Sequence, residues 1–162
     1  MSLGTGDTVP SFTVLRAFND PIAGEELWRE RPALVLFYPL AFSGSMEGGC
    51  TKEMCQFRDA SPQFDVAGVD IYGISHDSPF ALAAWKEQLS IPFSLLSDWE
   101  WQAAKAFGVL EDELFGFRPL NTRASFLVGT DGKVQHAYDP GDPRVLPDPD
   151  NLLAAARQLA AR

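Results

Sequence analysis

The sequence has few basic residues for its size. Its 13 lysines and arginines are outnumbered by 22 aspartates and glutamates, which gives a formal net charge of −9. Nucleic acids and anionic membranes bind surfaces on which lysine and arginine cluster, and no such cluster occurs along this chain. We therefore expect no nucleic-acid partner and no membrane partner.

Long hydrophobic runs are also absent. A helix that crosses a bilayer needs about 20 consecutive apolar residues, and no stretch approaches this length. The N-terminal residues MSLGTGD lack the basic and apolar regions of a signal peptide. We therefore expect a cytoplasmic protein. A chain of 162 residues suits one domain, residues 1–162, that can bury a core without disulfide bonds.

The sequence has little that would bind a metal or a nucleotide. Its two histidines, His76 and His136, lie far apart, and neither has a ligand-like neighbour at helical or loop spacing. A structural zinc ion needs about four nitrogen or sulfur ligands. Neither a dinucleotide-binding G-x-G-x-x-G motif nor a P-loop occurs. We expect neither a metal nor an organic cofactor.

Apolar runs alternate with helical patterns through the first two thirds of the chain. Residues 33–38 form a continuous apolar run, which is typical of a strand buried on both faces, and residues 69–74 predict a second buried strand. Each is followed by an amphipathic helical pattern, the first of which begins at Cys50. A short strand at 93–96 and a helix at 99–107 continue this alternation. The order predicts parallel strands connected by helices.

Both ends of the chain carry signals for antiparallel pairing. Short β-like pieces at 11–15 and 25–28 predict a hairpin or arm beside the core. Strands at 124–128 and 134–138 flank an Asp-Gly turn, and a last helix is predicted at 151–161. Together these elements predict an α/β, thioredoxin-like fold, with a central mixed sheet, helices on both faces and an N-terminal β extension.

Two further segments are predicted to interrupt regular structure. Ser61-Pro62 predicts a break in the helix that begins at Cys50, because proline disfavours a helical conformation in the residue before it. Residues 109–122 show no clear period and are rich in aromatic and acidic side chains. We predict a loop there, with or without a helical turn.

Cys50 stands where a loop rich in glycine and serine meets the start of a predicted helix. The unpaired N–H groups and partial positive charge of a helix N-terminus favour a thiolate over a neutral thiol. Cysteine is also among the residue types most often buried, so a structural role is the alternative. The loop and the helix start favour a reactive Cys50.

The second cysteine, Cys55, follows five residues later, so the dithiol motif Cys-x-x-Cys is absent. On an ideal helix the two Cα atoms would lie about 8 to 9 Å apart, beyond the roughly 7 Å limit for a disulfide. Pairing therefore requires the first turns of the helix to unwind. A redox role and a packed structural role for Cys55 both stay open.

Arg123 begins the predicted strand at 124–128 in an otherwise apolar neighbourhood. An ion pair at the surface is one interpretation. If this strand runs beside the Cys50 helix, the guanidinium is placed to hold a thiolate with donors that never lose their charge.

The sequence resembles the peroxiredoxins, a family within the thioredoxin-like superfamily, over nearly its whole length. The matching stretches, in order, are FYPLAFSG at 37–44, CTKEMCQFRD at 50–59, LLSD at 95–98, RASFLV at 123–128 and DGK at 131–133. They are most similar to the bacterioferritin comigratory protein type and to the alkyl hydroperoxide reductase E type.

The resemblance implies a thiol-dependent peroxidase that reduces hydrogen peroxide or organic hydroperoxides without a cofactor. Cys50 would attack the peroxide and become a sulfenic acid. Ser43 would hydrogen-bond the thiolate and the peroxide, Pro39 would shield the pocket from water, and Arg123 would polarise the leaving oxygen. Cys55 matches a resolving cysteine. A thioredoxin-like protein or a low-molecular-weight thiol would supply the electrons, and a homodimer is compatible with the family.

The loop before Cys50 is longer than the family pattern. Residues 44–49 separate Ser43 from Cys50, and an alignment without a gap places Met46 at the cysteine position. We prefer the gapped alignment because CTKEMC matches as a block and methionine cannot form a thiolate. The extra residues either bulge out or add a helical turn that displaces Ser43. The second arrangement would favour a redox sensor or binding protein with low turnover; a protein dithiol-disulfide oxidoreductase is a further alternative.

Overall fold

Strands and helices follow one another largely as the apolar runs predict. The structure, a computed structural model, describes residues 1–161. In chain order the elements are β1 (Thr13–Ala17), β2 (Asp20–Ala23), β3 (Ala33–Phe37), α1 (Gly49–Val66), β4 (Asp70–Ser75), α2 (Pro79–Leu89), β5 (Ser94–Ser97), α3 (Gln102–Phe107), β6 (Leu110–Glu111), β7 (Leu120–Asn121), β8 (Ala124–Val128), β9 (Val134–Tyr138) and α4 (Pro149–Ala160).

Seven of the strands form one mixed sheet in the order β2-β1-β5-β4-β3-β8-β9. β3, β4 and β5 run parallel, whereas β8 pairs with β3 in the antiparallel direction. The β1–β2 hairpin joins the sheet beside β5. This arrangement confirms the predicted mixed sheet and its N-terminal β extension.

The core has two layers, one on each face of the sheet, and β3 contributes to both. Leu34 and Leu36 pack in the layer that contains buried residues of α1, α2 and α4. Val35 and Phe37 pack in the other layer, with the buried residues of α3. Successive strand residues point to opposite faces, so a continuous apolar run is what a strand covered on both sides requires. Helices on both faces are thereby confirmed.

α1 runs unbroken through Pro62, so the predicted break at Ser61-Pro62 is wrong. A proline within a helix removes one hydrogen-bond donor and crowds the carbonyl four residues earlier. Phe57 and Phe64 are fully buried on either side of this point, and their packing in one core layer outweighs that local cost. One continuous helix therefore carries both cysteines. Within residues 1–161, no helix combines the length and the apolar character needed to cross a bilayer.

The strand predicted at 25–28 is also wrong, because Gly24–Leu27 forms a 3₁₀ helix. Leu27 and Trp28 are both buried. A strand would point two successive side chains to opposite faces, whereas a helical turn brings both into one core layer.

The helix predicted at 99–107 begins later, at Gln102. Trp101 has a left-handed backbone with φ of 59°, which no helix can contain. The carboxylate of Asp98 accepts hydrogen bonds from the N–H groups of Ala103 and Ala104 at 2.9 and 2.8 Å. The Asp98 carboxylate therefore caps the first turn of α3, and the helix is shorter than predicted.

The loop predicted at 109–122 contains the short antiparallel pair β6 and β7, so that prediction is wrong. Residues 110–121 form a hairpin arm. Its base is fixed by a 2.8 Å hydrogen bond from Thr122 N–H to the Val109 carbonyl. Two-residue strands leave too short a pattern for the sequence to indicate them.

Candidate active site

Sheet topology brings the end of β3 and the beginning of β8 together. Phe37 lies opposite Ala124 in the antiparallel ladder between these strands. Pro39 follows β3 and Arg123 precedes β8, so two of the predicted site residues lie at the same edge of the sheet. The first turn of α1, with Cys50, follows the same edge in the chain.

The long loop before α1 closes on itself. Ser45 and Gly48 exchange two backbone hydrogen bonds, of 2.8 and 3.3 Å, so residues 45–48 form a small projection. At its base, Gly44 has φ of 76°, and a Cβ added there would lie 2.3 Å from the Gly48 carbonyl oxygen and 2.9 Å from Gly49 Cα. The extra residues therefore bulge outward, and α1 begins at Gly49 without an added turn.

Ser43 is tied to the first turn of α1. Its carbonyl oxygen accepts hydrogen bonds from Thr51 N–H at 3.1 Å and from Thr51 Oγ1 at 2.8 Å. The Ser43 hydroxyl donates to the Leu40 carbonyl at 2.6 Å. The strand end and the helix start are thus joined through Ser43, across the base of the projection.

A cavity of about 360 Å³ lies above Cys50. It is lined by Pro39, Leu40, Ser43, Gly49, Cys50, Phe115, Arg123, Pro143 and Arg144. The structure therefore brings together four of the five predicted site residues. Phe115, Pro143 and Arg144 lie in segments with no clear pattern, and nothing in their spacing indicated that they would meet here.

Arg123 is held by three partners and is only 3% exposed. Its Nη2 group donates to Cys50 Sγ at 3.4 Å, and its Nε group donates to the Pro143 carbonyl at 2.7 Å. Its Nη1 group forms an ion pair with the carboxylate of Glu53. The guanidinium is therefore fixed beside the sulfur, with a buried anion on its other side.

Glu53 was missed by reasoning from the sequence. It is fully buried, and burial raises its pKa to about 7, with the charge of Arg123 acting in the opposite direction. The available signal was its position: Glu53 lies three residues after Cys50, so both residues occupy one face of α1. An acidic residue on the buried face of a helix requires a buried cation, and Arg123 supplies it.

Cys55 does not line the cavity. It lies on α1 with 4% exposure, and its Sγ is 3.8 Å from Met46 Sδ in the projection. Both cysteines are free thiols, and the helix between them is intact. The predicted obstacle to a direct Cys50–Cys55 disulfide is therefore present in this conformation.

Comparison with known proteins places this chain in a family. Residues 5–137 match the AhpC/TSA family. Over 139 residues the chain is 35% identical to peroxiredoxin Bcp of Escherichia coli strain K12, an alignment that covers 85% of this chain and 86% of the relative. It is also 35% identical to the chloroplastic peroxiredoxin Q of Sedum lineare over 134 residues, which cover 83% of this chain and 68% of the relative.

Solved structures agree with the sequence comparison. The crystal structure of peroxidoxin BcpB from Mycobacterium tuberculosis is similar to this chain with a TM-score of 0.81 and 30% identity, over 97% of this chain and 98% of that chain. The mixed sheet with flanking helices defines a thioredoxin-like fold, and the matching relatives are peroxiredoxins. The chain belongs to the AhpC/TSA family and is a peroxiredoxin, which confirms the predicted family and fold class.

Proposed function

We propose that Cys50 is the thiol with which this peroxiredoxin reduces hydrogen peroxide or organic hydroperoxides. The observation that carries the proposal is the 3.4 Å contact from buried Arg123 Nη2 to Cys50 Sγ at a cavity that reaches the surface. A fixed guanidinium favours the thiolate, which is the nucleophilic form of cysteine. The cavity gives a peroxide access to that sulfur.

In the first step, the Cys50 thiolate attacks the terminal oxygen of the hydroperoxide. The S–O bond forms as the O–O bond breaks, and the leaving oxygen takes up a proton to become water or an alcohol. The sulfur loses two electrons and becomes a sulfenic acid. Arg123 donates hydrogen bonds where negative charge develops on the leaving oxygen.

Ser43 and Pro39 complete this proposal. The Ser43 hydroxyl donates a hydrogen bond to the Leu40 carbonyl. Its oxygen is therefore left to accept a hydrogen bond from the peroxide O–H. That bond would direct the terminal oxygen at the sulfur of Cys50. Pro39 has no backbone N–H and presents an apolar ring to the cavity, which reduces the number of competing waters.

For the second step, we propose that Cys55 resolves the sulfenic acid. Its thiol attacks the Cys50 sulfur, an S–S bond forms and water leaves. A thioredoxin-like dithiol or a low-molecular-weight thiol then reduces the disulfide and is itself oxidised. Because residues five apart on a helix have Cα atoms about 8 to 9 Å apart, the first turns of α1 must unwind for this step.

The outward bulge of residues 45–48 favours an active peroxidase over a redox sensor or binding protein with low turnover. That alternative depends on a displaced Ser43, whereas Ser43 and Cys50 line one cavity. A dithiol-disulfide oxidoreductase would be favoured by two cysteines at one accessible site, and Cys55 lies outside the cavity.

Peroxide consumption with dithiothreitol as the reductant tests the proposal. We expect Cys50→Ser to lose turnover. We expect Cys55→Ser to keep it, because a small dithiol can reduce the sulfenic acid directly. In a separate reaction without dithiothreitol, Cys55→Ser should accumulate a sulfenic acid that dimedone traps. Turnover by Cys50→Ser at the rate of the wild type would refute the proposal.

A further inference from the structure

The cavity above Cys50 is larger than hydrogen peroxide requires. Its volume is about 360 Å³, whereas one water molecule occupies about 30 Å³ of the liquid. Polar groups of Ser43 and Arg123 lie near the sulfur, while Pro39, Leu40 and Phe115 contribute apolar surface. The site therefore has a polar part for an O–O group and an apolar part that hydrogen peroxide does not use.

Phe115 reaches this cavity from the tip of the hairpin arm. Leu114 and Phe117 exchange two backbone hydrogen bonds of 3.0 Å, with Phe115 and Gly116 between them at φ of 54° and 83°. Positive φ at both central residues is typical of a type I′ turn, whose first position favours asparagine or glycine. A bulky side chain there is unfavourable, and backbone outliers of this kind concentrate at sites that bind ligands.

The arm is fixed relative to the cavity. The side-chain amide of buried Asn121 donates to the Tyr38 carbonyl at 2.9 Å, directly before Pro39. Glu113 and Arg118 form an ion pair across the arm near its tip. The Asn121 hydrogen bond ties the base of the arm to the chain beside the cavity, and Phe115, which lines the cavity, is 58% exposed and has surface free to cover a ligand.

We propose that Phe115 is a specificity-determining residue that packs against the organic substituent of a bulky hydroperoxide while the O–O group meets Cys50. The substrate class that fits is a hydroperoxide with an aryl or branched alkyl group. This inference rests on the proposed function of Cys50. Burial of apolar substrate surface against the ring favours this class over hydrogen peroxide.

The kinetic test compares cumene hydroperoxide with hydrogen peroxide in the wild type, Phe115→Ala and Phe117→Ala. Phe117 is the matched control because it is a half-exposed phenylalanine of the same turn that does not line the cavity. We expect the ratio of kcat/KM for cumene hydroperoxide to kcat/KM for hydrogen peroxide to fall about tenfold in Phe115→Ala. Phe117→Ala should keep the wild-type ratio. An unchanged ratio in Phe115→Ala, or an equal fall in both variants, would overturn the proposal.

A second measurement does not depend on turnover. In the Cys55→Ser background, iodoacetamide alkylates Cys50, and cumyl alcohol serves as an unreactive probe of the cavity. We expect cumyl alcohol to slow alkylation, and the added change Phe115→Ala to abolish most of this protection. Absent protection, or protection that survives Phe115→Ala, contradicts the role of Phe115. If the wild type consumes no peroxide but cumyl alcohol still gives Phe115-dependent protection, the proposed function is refuted. The role of Phe115 in binding an organic group in the cavity is then supported.

Discussion

At the scale of single residues, Arg123 joins three groups of the candidate site. It donates to the Cys50 sulfur, to the Pro143 carbonyl and to the Glu53 carboxylate, and a planar guanidinium is needed to reach all three. Lysine keeps the charge but offers one compact ammonium group on a flexible stem. The geometry of the donors, rather than the charge alone, is what the site provides.

We therefore expect Arg123→Lys to react with peroxide about a hundredfold more slowly, since removing a well-placed donor costs about that much. Stopped-flow measurement of thiol loss under single-turnover conditions gives the rate. Arg118→Lys is the matched control, because Arg118 is exposed and lies on the hairpin arm. Retention of the wild-type rate by Arg123→Lys would show that a positive charge suffices.

Glu53 provides a pH test of the buried pair. Burial raises its pKa from an ordinary value of 4.5 to about 7. Between these values the folded protein holds a proton that the unfolded chain has released, so a rising pH favours unfolding. Relative to Glu53→Gln, the wild type should lose stability on the order of 1 kcal/mol per pH unit across this window. Urea unfolding between about pH 5 and about pH 8 measures this, and parallel profiles for the two proteins would contradict it.

At the scale of elements, the projection before α1 depends on the close approach of Gly44 to the residues that end it. A Cβ on Gly44 would lie 2.3 Å from the Gly48 carbonyl oxygen, and its φ of 76° disfavours any side chain. At Gly48 the backbone is extended, and an added Cβ would meet nothing within 4 Å. Alanine substitutions at Gly44 and Gly48 therefore form a matched pair, one with a clash and one without.

We expect Gly44→Ala to destabilise the protein by about 2 kcal/mol and to slow the oxidation of Cys50, because the base of the loop must open. Gly48→Ala should stay within about 0.5 kcal/mol of the wild type and keep its rate. Urea unfolding and single-turnover oxidation report both effects. Equal stability of the two variants would mean that the loop is not closed as the structure has it.

The elements that the sequence predicted well are those whose side chains repeat with a clear period. The buried run at 33–38 had one interpretation, and β3 confirms it. Helix breaks and short elements were harder to predict, because the structure of these segments depends on packing against residues far away in the sequence. Pro62 stays within α1 since Phe57 and Phe64 are buried around it, and no local signal carries that information.

The site was predictable only where a motif carried it. The block at 50–59 identified Cys50, and the resemblance pointed to Pro39, Ser43 and Arg123, which line one cavity. Phe115 reaches the same cavity through two strands of two residues each, which leave no pattern in the sequence. Glu53 was visible in the sequence, but only the placement of Arg123 shows why its charge is buried.

At the scale of the whole molecule, the position of the site follows from the order and direction of the strands in the sheet. The antiparallel pairing of β3 with β8 places Pro39 and Arg123 at one edge, and α1 begins over the same edge with Cys50. The other strands of the sheet contribute to the two core layers, and none of their described residues lines the cavity above Cys50. Substitutions elsewhere in the core should therefore alter stability more than chemistry.

The proposed function requires that the Cys50 thiol in this cavity reacts with peroxide. Its most direct test is to treat Cys55→Ser with one equivalent of hydrogen peroxide in the presence of dimedone, and to locate the adduct by mass spectrometry of peptides. We expect a dimedone adduct on Cys50 in Cys55→Ser, and none at short reaction times in the variant that also carries Arg123→Ala. Consumption of the peroxide without any adduct on Cys50 would contradict it.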